Sequence, residues 1–352
     1  MRGKTRLLGI AITLLCLGLA FYRVDVNELF GALARADYAL VAPAVVLWLI
    51  GYVARTLRWR TILAGSPVGS LFELFGVLMV GFATNNLLPA RLGELARAYL
   101  LRRRTGLRKT FVLASIFLER VFDGLALVLV IVVLSALVEL PGWGREVEAV
   151  AAILFVGVAV GVGMLIYRSE LASRIVSYVA RPLPRRIGTF AVGAFGAFVH
   201  GLSSMRSPGV VAGTSLLSIV VWAIEWGAYV LVASAFNLGL SPVQLAAACA
   251  FLLVVVNLGI MLPAAPGYVG TFQFFAVSAL AVWGVPREPA LAVAIVAHLA
   301  QYVLVTGIGL AFFGREHVSL RAVADASREA GDGDAEAGPG APADVAVSEV
   351  RS

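Results

Sequence analysis

The chain is 352 residues long, 60% hydrophobic and only 14% charged, against about 25% charged in an average globular protein. With a mean hydropathy of +0.92 it has too little polar surface to coat a water-soluble core, which excludes a cytosolic enzyme, a nucleic-acid-binding domain and a secreted disulfide scaffold. The formal charge of +7 rests on 28 basic residues, all Arg except Lys4 and Lys109, and in such a chain it marks cytoplasmic loops facing anionic lipid.

Crossing a ~30 Å hydrocarbon core as a helix takes about 20 apolar residues. In chain order the candidate runs are 7–22, 38–54, 71–88, 111–137, 147–167, 210–235, 243–262, 271–285 and 289–313. The first follows Arg2, Lys4 and Arg6 and reads as an uncleaved span, because Leu15 before Cys16 spoils a lipoprotein-type cleavage site. Cys16 and Cys249 both lie in apolar runs and read as packing residues. Arg55, Arg58 and Arg60 mark the inner end of the second run. The run 71–88 carries Glu73, Asn85 and Asn86 and stops at Pro89. If it crossed fully, Arg91, Arg97, Arg102, Arg103, Arg104, Arg108 and Lys109 would lie outside, against the positive-inside tendency. A re-entrant hairpin broken at Asn-Asn-Leu-Leu-Pro removes that conflict.

The run 111–137 then goes outward and 147–167 returns. The Arg-rich stretch that follows, with an amphipathic piece at 171–179, lies on the cytoplasmic surface. The run 210–235 leads to the uncharged 236–241, and the last span brings Arg315 and Arg321 back inside. From Ala324 the chain holds seven acids against two bases among Ala, Gly and Pro, a composition that cannot order itself. The expectation is an all-α, polytopic helical bundle of seven to nine membrane segments. A membrane-embedded domain at 1–314 is followed by a polar tail at 315–352, with both termini on the cytoplasmic side of the cell membrane.

Three motifs hold polar groups inside apolar sequence. Glu119, Arg120 and Asp123 sit in the run 111–137, with Asp123 roughly 18 Å along the helix and so near mid-bilayer. Each such group costs about 2.5–3.5 kcal/mol at a span centre unless compensated. Arg120 and Asp123 are spaced i,i+3 and can pair, either as a lock between helices or as part of a site. Next, Pro89 frees a backbone carbonyl, which only a protein-lined or wet site tolerates. Arg91, Glu94 and Arg97 follow it at i,i+3 steps as one polar stripe, and the planar fork of Arg suits a phosphate. Last, Pro263, Pro266, Gly267 and Gly270 mark a turn or a half-helix junction.

The segments NNLLPARLGE (85–94) and NLGIMLPAAPGYVG (257–270) echo each other. Interrupted segments at matching places in two inverted halves point to a transporter's central site, although Leu-Pro-Ala also recurs freely in Leu- and Ala-rich chains. Glu73, Arg55, Glu225, His298 and Gln301 read as single interhelical contacts. Neither a P-loop nor a dinucleotide fingerprint, metal constellation or nucleophile elbow is present, so no cofactor is expected.

The runs GFATNNLLPARLGELARAYLL, FLERVFDGLALV and LPAAPGYVGTFQ, in this order, resemble the membrane region of lysylphosphatidylglycerol synthases and of stand-alone flippase-like proteins, over roughly 7–314. By that resemblance Asn86, Pro89, Arg91, Gly93 and Glu94 match one motif, Glu119, Arg120 and Asp123 a second, and Pro266, Gly267 and Gly270 a third. Family members that aminoacylate lipid carry a soluble synthetase domain after this region, whereas here a short tail follows. The function this implies is binding and flipping of an anionic phospholipid or polyprenyl-phosphate lipid, without enzymatic chemistry. The alternative is an intramembrane enzyme, or an accessory subunit of a lipid-modifying transferase. The partner expected is membrane lipid, not nucleic acid.

Overall fold

A computed structural model describes residues 2–88, 92–139, 142–168, 203–262 and 265–315, with isolated positions at 170, 174, 177, 178 and 195. Among them every regular element is a helix: α1 (Arg2–Phe21), α2 (Val26–Arg35), α3 (Val41–Ile62), α4 (Leu71–Leu87), α5 (Gly93–Thr105), α6 (Lys109–Leu137), α7 (Gly142–Tyr167), α8 (Pro208–Ser234), α9 (Pro242–Gly259), α10 (Thr271–Ala281) and α11 (Arg287–Arg315), with short 3-10 turns between some of them. Pro89, Arg91, Pro263, most of the expected surface helix at 171–179, and the tail from 316 lie outside the described residues.

Five segments are long and apolar enough to cross a membrane: Tyr38–Ile62, Lys109–Leu137, Pro208–Ser234, Pro242–Gly259 and Arg287–Arg315. A sixth at most is the pair Gly9–Phe21 and Val26–Arg35, which meet at an 82° bend. Helix α4 is a shorter apolar helix, as is Glu148–Met164 within α7. The crossing expected at 271–285 is only an 11-residue helix, α10, which rises roughly 16 Å and cannot span.

Local chemistry sets the helix starts. Ser70 and Glu73 form a reciprocal capping box at α4, and Ser241 with Gln244 does the same at α9, where Pro242 follows the cap. Each satisfies backbone donors that no carbonyl within the helix can reach. Asp25 caps α2 by accepting from the N–H groups of Asn27 and Glu28.

Side-chain neighbours fix how the helices run. Along α3 and α8, Thr61 faces Gly213, Gly51 faces Ile224 and Leu47 faces Gly227, so the two are antiparallel. Phe312 lies against Gly76, and Gly309 against Met79 and Ala83, so α11 runs antiparallel to α4. Within α4 and α5, Glu73 pairs with Arg104 at 4.0 Å, Gly81 meets Arg97, and Asn85 Oδ1 accepts from the Gly93 N–H at 2.8 Å. These two helices therefore form a hairpin that leaves on the side where it entered.

Helices α9 and α10 form a second hairpin, with Gly259 against Phe275. It enters from the opposite end. Asp37 donates its N–H to the Ala235 carbonyl, and Arg287 donates to the carbonyls of Leu19 and Tyr22, which gathers the turns before α3, α9 and α11 at one end. The hairpin tips meet in the interior. Gly267, with φ +69, lies against the Asn86 carbonyl and the Tyr302 ring, a conformation and a space that only glycine fits. The two echoing sequence segments are these two tips.

Charge is segregated by end. Arg60, Arg102, Arg103, Arg104, Arg108, Lys109, Arg206 and Arg315 gather at the end where α4 starts. At the other end Arg23, Arg35, Arg145 and Arg287 are interleaved with Asp25, Glu28, Asp37, Glu139, Glu146 and Glu288. Between the ends, exposed apolar side chains such as Ile50, Val133, Ile153, Ile219 and Val303 face outward, where lipid takes the place of water.

Candidate functional site

A cavity of about 320 Å³ opens where the hairpin tips meet. Among the described residues its lining holds six charged ones: Glu94 and Arg97 from α5, Arg120 and Asp123 from α6, Arg55 from α3 and Glu225 from α8. Aromatic rings line it as well, among them Tyr52, Trp222, Tyr229, Phe272, His298 and Tyr302. Asn85, Asn86 and Asn257 project from the ends of α4 and α9. The placement follows from the breaks. A helix that stops in mid-bundle presents its polar terminal residues to the interior, where an unbroken apolar helix would present methyl groups.

Arg55, Arg97, Asp123 and Glu225 of this lining join Arg58 and Glu119 behind it in a continuous network of charges over four helices. Arg58 of α3 reaches Asp123 Oδ1 at 2.6 Å, donates to Ser218 Oγ at 3.0 Å, and lies 3.9 Å from Glu119. Arg97 reaches the other oxygen of Glu119 at 2.6 Å, with its guanidinium over the Trp59 ring at 3.8 Å. Arg55 pairs with Glu225 at 3.1 Å and lies over Trp222 at 5.0 Å. Trp222 Nε1 donates to Asp123 Oδ1 at 3.0 Å, and Gln301 Nε2 to Glu225 Oε1 at 2.7 Å. These charges leave water only because each meets an opposite charge and a hydrogen bond at once.

Arg120 is the exception. Its side chain keeps 45% of its surface open, it lines the cavity, and it meets Asp123 Oδ2 at 3.5 Å.

Several expectations change in this light. Arg120 is not the chief partner of Asp123; that place belongs to Arg58, from a helix far away in sequence. Arg97 is not a free phosphate fork, because Glu119 and Trp59 already hold it. Arg55 and Arg58 do not mark a cytoplasmic helix end, since α3 continues to Ile62 and buries both, leaving Arg60 outside. Glu225 and Gln301 belong to the network rather than to isolated contacts.

Of the other predicted site residues, Asn86 donates to Thr306 Oγ1 at 3.0 Å, and Glu94 lines the cavity. Pro266 and Gly267 belong to the second tip. Gly270, at φ +85, caps α10 against Thr13 and Leu17 of α1, away from the cavity lining. Pro89 and Arg91 fall outside the described residues. The residue that sequence reasoning missed is Arg58. Its signal was the i,i+3 spacing of Arg55 and Arg58 on one helical face, set beside three intramembrane carboxylates, Glu119, Asp123 and Glu225, that call for cations.

Residues 6–309 match the family described as the lysylphosphatidylglycerol synthase TM region. The chain is 28% identical over 363 aligned positions to glycosyltransferase AglD of Haloferax volcanii, an alignment covering 94% of this chain and 57% of that protein. It is 26% identical to a UPF0104 membrane protein of Methanothermobacter thermautotrophicus, covering 88% of this chain and 95% of the relative. A second UPF0104 membrane protein of the same organism is 25% identical, with 81% and 86% covered. No solved structure matches. The broken hairpins, the intramembrane charges and the match over nearly all the described residues agree: this is a multi-pass membrane protein belonging to the lysylphosphatidylglycerol synthase TM-region family.

Proposed function

We propose that the chain binds the head group of an anionic phospholipid or a polyprenyl-phosphate lipid and carries it across the cytoplasmic membrane. The observation that carries this reading is a charged cavity at the meeting point of two half-spanning hairpins that enter from opposite ends. Such a cavity gives a polar head group a solvated stop midway through an apolar bundle. Arg120 presents its open guanidinium to the phosphate. Glu94 balances charge at the cavity wall. Glu119 and Asp123 hold Arg97, Arg58 and Arg120 in place. The strongly basic end faces the cytoplasm, which sets both termini there.

Purified protein in liposomes with labelled anionic lipids tests the proposal. The expected result is faster exchange between leaflets than in protein-free vesicles, lost when Arg120 becomes Gln. No acceleration for any anionic lipid, with the protein folded, overturns it.

The second reading, an enzyme or accessory subunit acting on lipid-linked glycans, draws on the name of the Haloferax relative, of which this chain spans only 57%. A covalent change in lipid incubated with the purified protein would favour the enzyme. Stable co-purification with a transferase, without lipid movement, would favour the accessory role.

A further inference from the structure

Most charges of the cavity lining are already tied to a partner. Arg55 holds Glu225 at 3.1 Å, Arg97 holds Glu119 at 2.6 Å, and Asp123 takes Arg58 at 2.6 Å and the Trp222 N–H at 3.0 Å. His298 adds no cation. The Gly270 N–H donates to Gln273 Oε1 at 2.8 Å, which turns the amide so that its Nε2 donates to His298 Nδ1 at 2.9 Å. A ring that accepts at Nδ1 is not the imidazolium, whose two nitrogens both donate. Two charges of the lining remain for a ligand. Arg120 keeps 45% of its side-chain surface open. Glu94, half-buried in the first turn of α5, lines the same cavity and makes no ion pair among the described residues. The positive end of the helix lets a carboxylate stand there without one. The two are linked through the network, because Arg97, one turn after Glu94, grips Glu119, the chain neighbour of Arg120.

We infer that Glu94 is a charge filter, which admits a lipid phosphodiester with its single negative charge at Arg120 and turns away a phosphate monoester or a diphosphate. This rests on the lipid-binding reading above and narrows its substrate class to phospholipids and polyprenyl phosphodiesters. One open guanidinium answers one negative charge. The second charge of a monoester finds no other open cation in the lining among the described residues. It meets the Glu94 carboxylate instead, inside a space of about 320 Å³, where like charges stand close and little water lies between them to weaken the repulsion.

The test compares short-chain phosphatidic acid with its own methyl ester, binding to the full chain in a non-ionic detergent. The pH is held well above about 6, so that the monoester has lost its second proton and the two probes differ by one charge. The expected preference for the methyl ester is about tenfold, the scale of one close like-charge contact. Glu94→Gln keeps the shape and removes the charge. It should leave the unfolding temperature unchanged and bring the ratio of the two affinities toward one, by tightening the monoester. Glu94→Ala is the second variant should the first unfold; unfolding of both makes Glu94 a structural residue and overturns the filter. Equal affinity for both probes in the unsubstituted protein, or a preference that survives Glu94→Gln, overturns it while leaving lipid binding intact. Failure to bind either probe overturns both readings.

Discussion

At Asp123 two donors from two other helices converge on one carboxylate oxygen, Arg58 Nη1 at 2.6 Å and Trp222 Nε1 at 3.0 Å. Asp123→Asn alone strips the charge from that meeting point and leaves Arg58 buried without its nearest counter-charge. Breaking a buried pair in this way typically costs about 3–5 kcal/mol, so the expected outcome is a marked fall in thermal unfolding temperature in detergent. Adding Arg58→Gln removes the stranded cation and should restore most of the stability. Lipid movement should stay impaired, because Arg120 loses the carboxylate that orients it; full transport in the folded double variant would reduce the pair to a lock between helices. A second contrast separates the two arginines that sequence alone treats as equals. Arg120→Gln should leave the fold intact and weaken anionic-lipid binding about tenfold, the loss of one charge-assisted contact. Arg97→Gln should instead lower the unfolding temperature, because buried Glu119 then keeps only the longer 3.9 Å contact to Arg58. The sequence exposed Glu119, Arg120 and Asp123 because charge in an apolar run is conspicuous. It could offer only near neighbours as partners, since i,i+3 spacing is visible in a string and a contact across 65 positions is not.

The hairpins put the same limits at the level of elements. Pro89 and the basic block after it made the first break legible, through a conflict of charge with topology. At the second tip the sequence offers a turn or a half-helix junction, and the shortness of α10 is not legible because 271–285 is uniformly apolar and hydropathy does not record where a helix ends. What permits the first hairpin is the absence of side chains at its crossing point. A Cβ at Gly93 would lie within van der Waals overlap of the Gly81 carbonyl, a backbone atom that cannot swing aside. Gly93→Ala should therefore pry α4 from α5, at the roughly 1–3 kcal/mol typical of overpacking. Gly161→Ala in α7, where nothing stands within 4 Å, should be neutral or slightly stabilising through helix propensity. Paired thermal melts of the two variants decide this, and equal shifts would contradict the tight crossing.

Over the whole molecule the segregated charges predict which surface can be reached from outside an intact cell. A single cysteine at Asn237, exposed between α8 and α9, should react with an impermeant thiol reagent. One at Arg103, exposed at the basic end, should react only after the membrane is opened; labelling of Arg103→Cys in intact cells would refute the assigned orientation. The composition made the membrane class plain from the start, and the side assignment rests on the same arginines. The interior network is where reading from the string fell short, because four helices must assemble before it exists. That lag bears on how the chain is made. Arg55 and Arg58 leave the ribosome on α3 well before α6 supplies Glu119 and Asp123, and before α8 supplies Glu225. A lone guanidinium in a span costs on the order of 2.5–3.5 kcal/mol at its centre, so α3 enters the bilayer poorly on its own. Synthesis therefore passes through a stage in which an early helix waits, shielded or half inserted, for counter-charges not yet translated. Nascent chains arrested after α3 should remain open to protease at Arg58, and those arrested after α8 should be protected.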